Sequence, residues 1–126
     1  MSTADNSTKT ALLSLRSNAL NLQALLCMAA KGDNATVILE KVTKAIRNHF
    51  DRVEALGIDI PEENRRDHIA LLGYFKSAEA DWRQGRLSDV DYAEALNARL
   101  YSHFSVYFKE ILDTHLNDKF LADFRL

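Results

Sequence analysis

The stretch Trp82-Arg83-Gln84-Gly85-Arg86-Leu87-Ser88-Asp89-Val90-Asp91 reads as the end of one helix and the start of the next. A glycine just past a helix end takes the left-handed cap conformation without a Cβ clash. Ser88, with Asp91 three residues on, approximates a capping box, in which the hydroxyl accepts from an unpaired backbone N–H of the first turn. The same punctuation occurs twice upstream. Gly32 follows Ala29-Ala30-Lys31 and precedes Asp33-Asn34, which can cap a second helix. Gly57 follows Val53-Glu54-Ala55-Leu56, and Pro61-Glu62-Glu63 suits a helical first turn: proline loses nothing there and the acids meet the positive end of the helix dipole. Gly73, the last of four glycines, lies inside a helical stretch and should weaken it or permit a close helix contact.

Between these stops the apolar residues recur at steps of three and four, the period of a helix with one buried face. The spacing predicts helices at about 8–31, 34–56, 61–84 and 88–116. Their stripes run through Leu12, Leu15, Ala19, Leu22 and Leu26; Ile38, Val42, Ala45 or Ile46, His49, Val53 and Leu56; His68, Leu71 or Leu72, Phe75, Ala78 and Trp82; and Ala93, Leu96, Leu100, His103 or Phe104, Tyr107 and Ile111. No alternation of strand period is sustained. Four helices of similar length with short connections predict an all-α, up-down-up-down four-helix bundle. Residues 1–126 form one domain in this reading, with 1–7 expected to be flexible and Phe120, Leu121, Phe124 and Leu126 marking a short helical tail.

Composition narrows the function classes. The 126 residues are 47% hydrophobic and 27% charged, the balance of a globular protein, with a formal charge of −2. That charge gives no basic face for nucleic acid or an anionic membrane. The densest cations, Arg65-Arg66, stand among Glu62, Glu63 and Asp67 and are expected to be neutralised locally. The polar N-terminus lacks a signal-peptide core, and the longest apolar run, Ala24–Ala30, is too short to span a bilayer. The expected compartment is the cytoplasm. The single cysteine, Cys27, lies among Leu25, Leu26 and Met28 and is expected to be a small buried hydrophobe. Glu40–Lys44 and Glu79–Arg83 have the i,i+4 spacing of solvated ion pairs.

All four histidines, His49, His68, His103 and His115, lie on or beside the stripes. Histidines on facing helices can build a metal site in a bundle core. Their local spacing does not support one. No Glu-x-x-His pair exists, and the residues four beyond the histidines are Val53, Leu72, Tyr107 and Lys119.

The run Asn48-His49-Phe50, then Glu54, Gly57, Pro61, His68 and Phe75, resembles the central part of a hemerythrin. The interval from His49 to His68 matches that between the family's helix-two ligand and its first helix-three ligand. His103 stands where the helix-four ligand would be, and the end of helix one, Ala29–Gly32, is similar too. The resemblance spans most of residues 12–116 and implies a four-helix bundle around a di-iron centre. The departures fall on that centre. Leucine (Leu15 or Leu20) replaces the helix-one histidine, Val53 the bridging glutamate, Leu72 the second helix-three histidine, and Phe108 the bridging aspartate. Without the bridging carboxylates, three imidazoles do not offset the charge of two iron ions.

The resemblance therefore implies a hemerythrin-like bundle that has lost its di-iron centre, carries no cofactor, and acts non-enzymatically as a binding module. Its expected surface is aromatic: Tyr101, Phe104, Tyr107, Phe108, Phe120 and Phe124. This surface would meet a protein partner or a second copy of the chain. The alternative keeps a reduced iron or haem site on His49, His68 and His103, with Glu54 or His115 as supplementary ligands, for binding a small gas or sensing redox state.

Overall fold

The computed structural model describes residues 6–116. These form three helices, α1 (Asn6–Ala30), α2 (Ala35–Ala55) and α3 (Glu62–Arg83), and a fourth rod in three parts: α4 (Asp89–His103), a π-helical segment (Phe104–Phe108) and α5 (Lys109–His115). The architecture is the all-α bundle that the periodicity predicts, with no strand among the described residues. The rod α4–π–α5 packs on α1 and α3, and α1 packs on α2. The expected tail after Leu116, with Phe120 and Phe124, lies outside the described residues, as do positions 1–5 of the segment expected to be flexible. Residues 6 and 7 already belong to α1.

The glycines act as read. Gly32, Gly57 and Gly85 all have positive φ, at 89°, 69° and 77°. At the first and third stops a paired closure satisfies the last carbonyls. Gly32 N donates to Ala29 O and Asp33 N to Met28 O, while Gly85 N donates to Trp82 O and Arg86 N to Asp81 O. Ser88 Oγ accepts from Asp91 N at 3.1 Å, as its capping role requires. Asn34 does not cap α2 with its side chain. It sits at the N-cap position with φ 48° and ψ 36°, whereas a capping side chain needs an extended backbone there to reach the first-turn N–H groups. Pro61 precedes α3 as its N-cap rather than joining its first turn.

The core is continuous. Leu12, Leu15, Ala19, Leu22, Leu26 and Ala29 of α1 meet Ile38, Leu39, Val42, Ile46, Phe50 and Val53 of α2, with Leu71, Phe75 and Ala78 from α3. The stripe of the last rod differs from expectation: Phe108 is buried and Tyr107 is only half-buried. The cause is the π-helical segment. Tyr92, Leu96, Leu100, Phe104 and Phe108 are all buried and follow one another at steps of four. On a straight α-helix four such steps would carry the stripe about 160° around the axis. The wider turn, closed by Lys109 N donating to Phe104 O, falls on the last of these steps and takes back part of that drift, so that Phe108 comes inward beside Phe104. Two side chains satisfy carbonyls around it. Asn64 of α3, buried, donates from Nδ2 to Tyr107 O at 2.7 Å, and Ser105 Oγ donates to Tyr101 O at 2.7 Å.

The pairing of α2 with α3 is of another kind. The two helices approach each other less closely, and ion pairs join them: Arg47–Glu79 at 3.0 Å, Arg65–Glu54 at 2.9 Å and Arg83–Glu40 at 2.7 Å. Arg66 pairs with Glu62, so the Arg65-Arg66 cluster is neutralised, Arg65 from α2 and Arg66 within its own helix. Glu79–Arg83 forms as spaced, whereas Glu40 is engaged by Arg83 across the helices. Cys27 is exposed, against expectation. The register that buries Leu26 and Ala29 turns position 27 outward, where Sγ meets Asn97 Nδ2 at 3.8 Å.

Two substitutions test these assignments. A Cβ at Gly73 would meet no atom within 4 Å, and φ there is not positive. The close-contact reading of Gly73 therefore falls, and Gly73→Ala should raise unfolding stability by about 0.5–1 kcal/mol. Asn64→Leu should lower it by about 1–3 kcal/mol by orphaning a carbonyl at the π turn. Urea denaturation of each variant measures both.

Candidate functional site

His49, His68 and His103 come from three different helices and reach one region of the interior. All three are buried, and Phe50 touches every one of them. Its ring centroid lies 5.2 Å from that of His49, 4.5 Å from His68 and 5.0 Å from His103. His68 and His103 are 6.5 Å apart. His49 is enclosed further by Phe104 at 5.2 Å and Phe108 at 5.0 Å, both nearly edge-on. The positions that the resemblance marks as altered lie largely in the core: Leu15, Val53 and Phe108 are buried and Leu72 is half-buried, while Leu20 points to solvent.

Carboxylates stand on the outer side of two of the rings. His103 Nδ1 donates to Asp67 Oδ2 at 2.6 Å, and Arg99 holds the other oxygen at 3.2 Å. His68 Nδ1 lies 3.3 Å from Glu54, whose carboxylate also receives Arg65. An ionised carboxylate only accepts, so both imidazoles carry the proton on Nδ1. His68 Nε2 is then a bare acceptor, buried and without a partner, and His49 has no partner at either nitrogen. His115 is elsewhere: its Nε2 meets Asp59 O at 3.3 Å.

The electrostatics keep the cluster neutral. Burial pushes the His49 pKa from 6.5 to about 3, assisted by the charges of His103, Arg52 and His68. Burial also lowers His68 and His103, partly offset by Glu54 and by Asp67 respectively. For Asp67 burial acts upward, but hydrogen bonds from His103 and Arg99 outweigh it and hold the carboxyl below its usual range.

Three neutral imidazoles each keep one unprotonated nitrogen that could ligate a metal, and carboxylates behind His68 and His103 are what such ligands use for orientation. The donor set fits an ion poorly. The group that all three rings share is a phenyl, and among the described residues no three His, Cys, Asp or Glu side chains are placed to hold a metal together.

The aromatic residues of the last rod do not form one surface. Phe104 and Phe108 are buried, and Tyr107 stacks on His103 at 5.7 Å. Tyr101 is 63% exposed. With Leu20 (55% exposed) it flanks a groove of about 460 Å³ between α1 and the last rod, floored by Phe104 and Phe108 and edged by Arg16, Lys109 and Asp113. A second cleft, about 480 Å³, opens between α2 and α3.

No protein-family model, curated protein or solved structure matches this chain.

Sequence reading missed Phe50 as the common neighbour, Asp67 as the partner of His103, and the α2–α3 cleft. The first two had a signal: Phe50 and Asp67 directly adjoin His49 and His68 in the chain. The cleft had none.

The lowered imidazole pKa values fix a direction for pH dependence. Between about pH 6.5 and 3 the unfolded chain binds protons that the folded chain refuses, so stability present above pH 6.5 is lost as pH falls. His49 alone contributes up to about 1.4 kcal/mol per pH unit in that window. Urea midpoints at pH 7.5 and 5.5 should therefore separate less for His49→Leu than for the unsubstituted protein; an equal separation would contradict the neutral, buried His49.

Proposed function

We propose that this chain is a non-enzymatic, hemerythrin-like helical bundle that works as a binding module, engaging a protein partner or a second copy of itself through the groove between α1 and the last rod. One observation carries the proposal. Two large apolar side chains, Leu20 and Tyr101, stand in solvent on either side of an apolar trough floored by phenyl rings. Exposed apolar surface of this kind, edged by charge, marks interaction sites. An amphipathic helix lying along such a trough would bury its apolar residues on Phe104 and Phe108 and set its flanks against Arg16, Lys109 and Asp113. A tyrosine at the margin is typical of the few residues that dominate binding energy.

The test is a photo-crosslinking residue at position 101, compared with one at position 41 on the exposed side of α2. A discrete adduct should form from 101 and not from 41, and sedimentation separates self-association from a foreign partner. Leu20→Asp should weaken the complex by about 1–2 kcal/mol, roughly five- to thirty-fold, with little change in Tm. Equal labelling from both positions would reject the groove as the working surface.

A second reading, a reduced iron or haem site at His49, His68 and His103, is favoured by the unpartnered nitrogens of His49 and His68. In that reading the centre would bind a small gas or sense redox state. Elemental analysis and an absorption spectrum of protein purified without chelator separate the readings. A stoichiometric metal with visible charge-transfer bands would establish the second and displace the first; colourless, metal-free, fully folded protein would remove it.

A further inference from the structure

The cleft between α2 and α3 has features that packing alone does not require. Its walls are apolar, formed by Ile46 of α2 and by Leu72 and Phe75 of α3. Its floor is Tyr92, a residue fixed in place from two sides. The Tyr92 ring stacks on Trp82 at 4.6 Å and 14°, and Trp82 Nε1 in turn donates to Asp89 Oδ1 at 2.7 Å. The Tyr92 hydroxyl meets the Thr43 hydroxyl at 2.9 Å. Two hydroxyls sharing one hydrogen bond leave one hydrogen over. Either hydroxyl can donate in that bond; Tyr92 is buried and Thr43 half-buried, and the arrangement with Tyr92 as donor leaves the Thr43 O–H free to face the cleft. Burial also pushes the Tyr92 pKa up, against the smaller opposing effect of Thr43, so the phenol keeps its proton.

The charges at the margin balance. Arg47 pairs with Glu79, leaving Lys76 and Asp51 as one charge of each sign. Neither sign predominates at such a margin, and an uncharged molecule needs no counter-charge there. The volume, about 480 Å³, is within the usual range for small-ligand sites.

We propose that the α2–α3 cleft binds a small uncharged molecule with an apolar, ring-sized body and one hydrogen-bond acceptor, the body lying on Ile46, Leu72 and Phe75 and the acceptor receiving the Thr43–Tyr92 hydroxyl pair's spare hydrogen. The cleft lies apart from the α1 groove, so this assignment stands or falls independently of the binding-module reading.

The experiment is an amide-NMR titration of the 15N-labelled full chain with 2-acetylnaphthalene and, separately, with 2-ethylnaphthalene, which has the same shape and no acceptor. Saturable shifts should cluster at 43–51 and 72–79, and the ketone should bind about five-fold more tightly, the worth of one net hydrogen bond. In the near-isosteric double variant Thr43→Val/Tyr92→Phe the two probes should bind equally. Should that variant not fold, Leu72→Phe, which narrows the cleft from its half-buried wall, should weaken both probes. Shifts centred on the α1 groove, equal affinities in the unsubstituted chain, or no saturable shifts would each overturn the proposal.

Discussion

The buried stripe of the last rod advances four residues at every step from Tyr92 to Phe108, and on a regular α-helix each such step drifts about 40° around the axis while the core lies on one side. Much of the interior follows from how the chain resolves this conflict. The wide turn at Phe104–Phe108 keeps Phe104 and Phe108 inward alongside His103, and these two phenyl rings then enclose His49. The turn also disturbs the carbonyl ladder. Asn64, a polar side chain buried in α3, is accounted for by its hydrogen bond to Tyr107 O. One irregularity thus links a polar residue on one helix, a histidine on another and the aromatic floor of the surface groove.

Inside, the bundle tolerates histidine by denying it charge. Burying an ion without a partner costs far more than burying a neutral imidazole, and the pKa shifts run in the neutral direction for all three rings. The carboxylates that orient His68 and His103 are themselves answered by Arg65 and Arg99 at the margin, so the ionic partners sit where water screens them. His49 has no such arrangement. Neither of its nitrogens has a protein partner, and burying a polar group without one costs about 1–3 kcal/mol.

Helix number, order and approximate ends were legible because Gly32, Gly57 and Gly85 are needed at positive φ and Ser88 caps in the usual way. Each is a local device readable within a few residues. The register of α1 was equally plain, since Leu12 to Leu26 step regularly by three and four. The π turn was not recognised, although its signal, an unbroken series of four-residue steps, stands in the sequence. The site was less legible. That His49, His68 and His103 lie on interior faces follows from periodicity; that Phe50 touches all three depends on how far α2, α3 and the last rod rotate about their axes, which no local pattern fixes. Cys27 shows the same limit, because apolar neighbours in sequence do not decide which side of a helix a residue occupies. The α2–α3 cleft depends on helix separation, a property of the assembled core alone.

Trp82 is the chain's only tryptophan, and its surroundings give it a further significance. It stacks on Tyr92, lies under the Arg83 guanidinium at 5.1 Å, and bonds Asp89, all at the turn joining α3 to α4. His68 is fourteen residues back along α3, about 21 Å away along the helix axis. The tryptophan fluorescence of this protein therefore reports one corner of the bundle and is nearly blind to the histidine end. Loosening around the π turn would leave the tryptophan emission unchanged while altering circular dichroism and amide exchange, so agreement between these signals is a measure of how far the two ends of the bundle unfold as one.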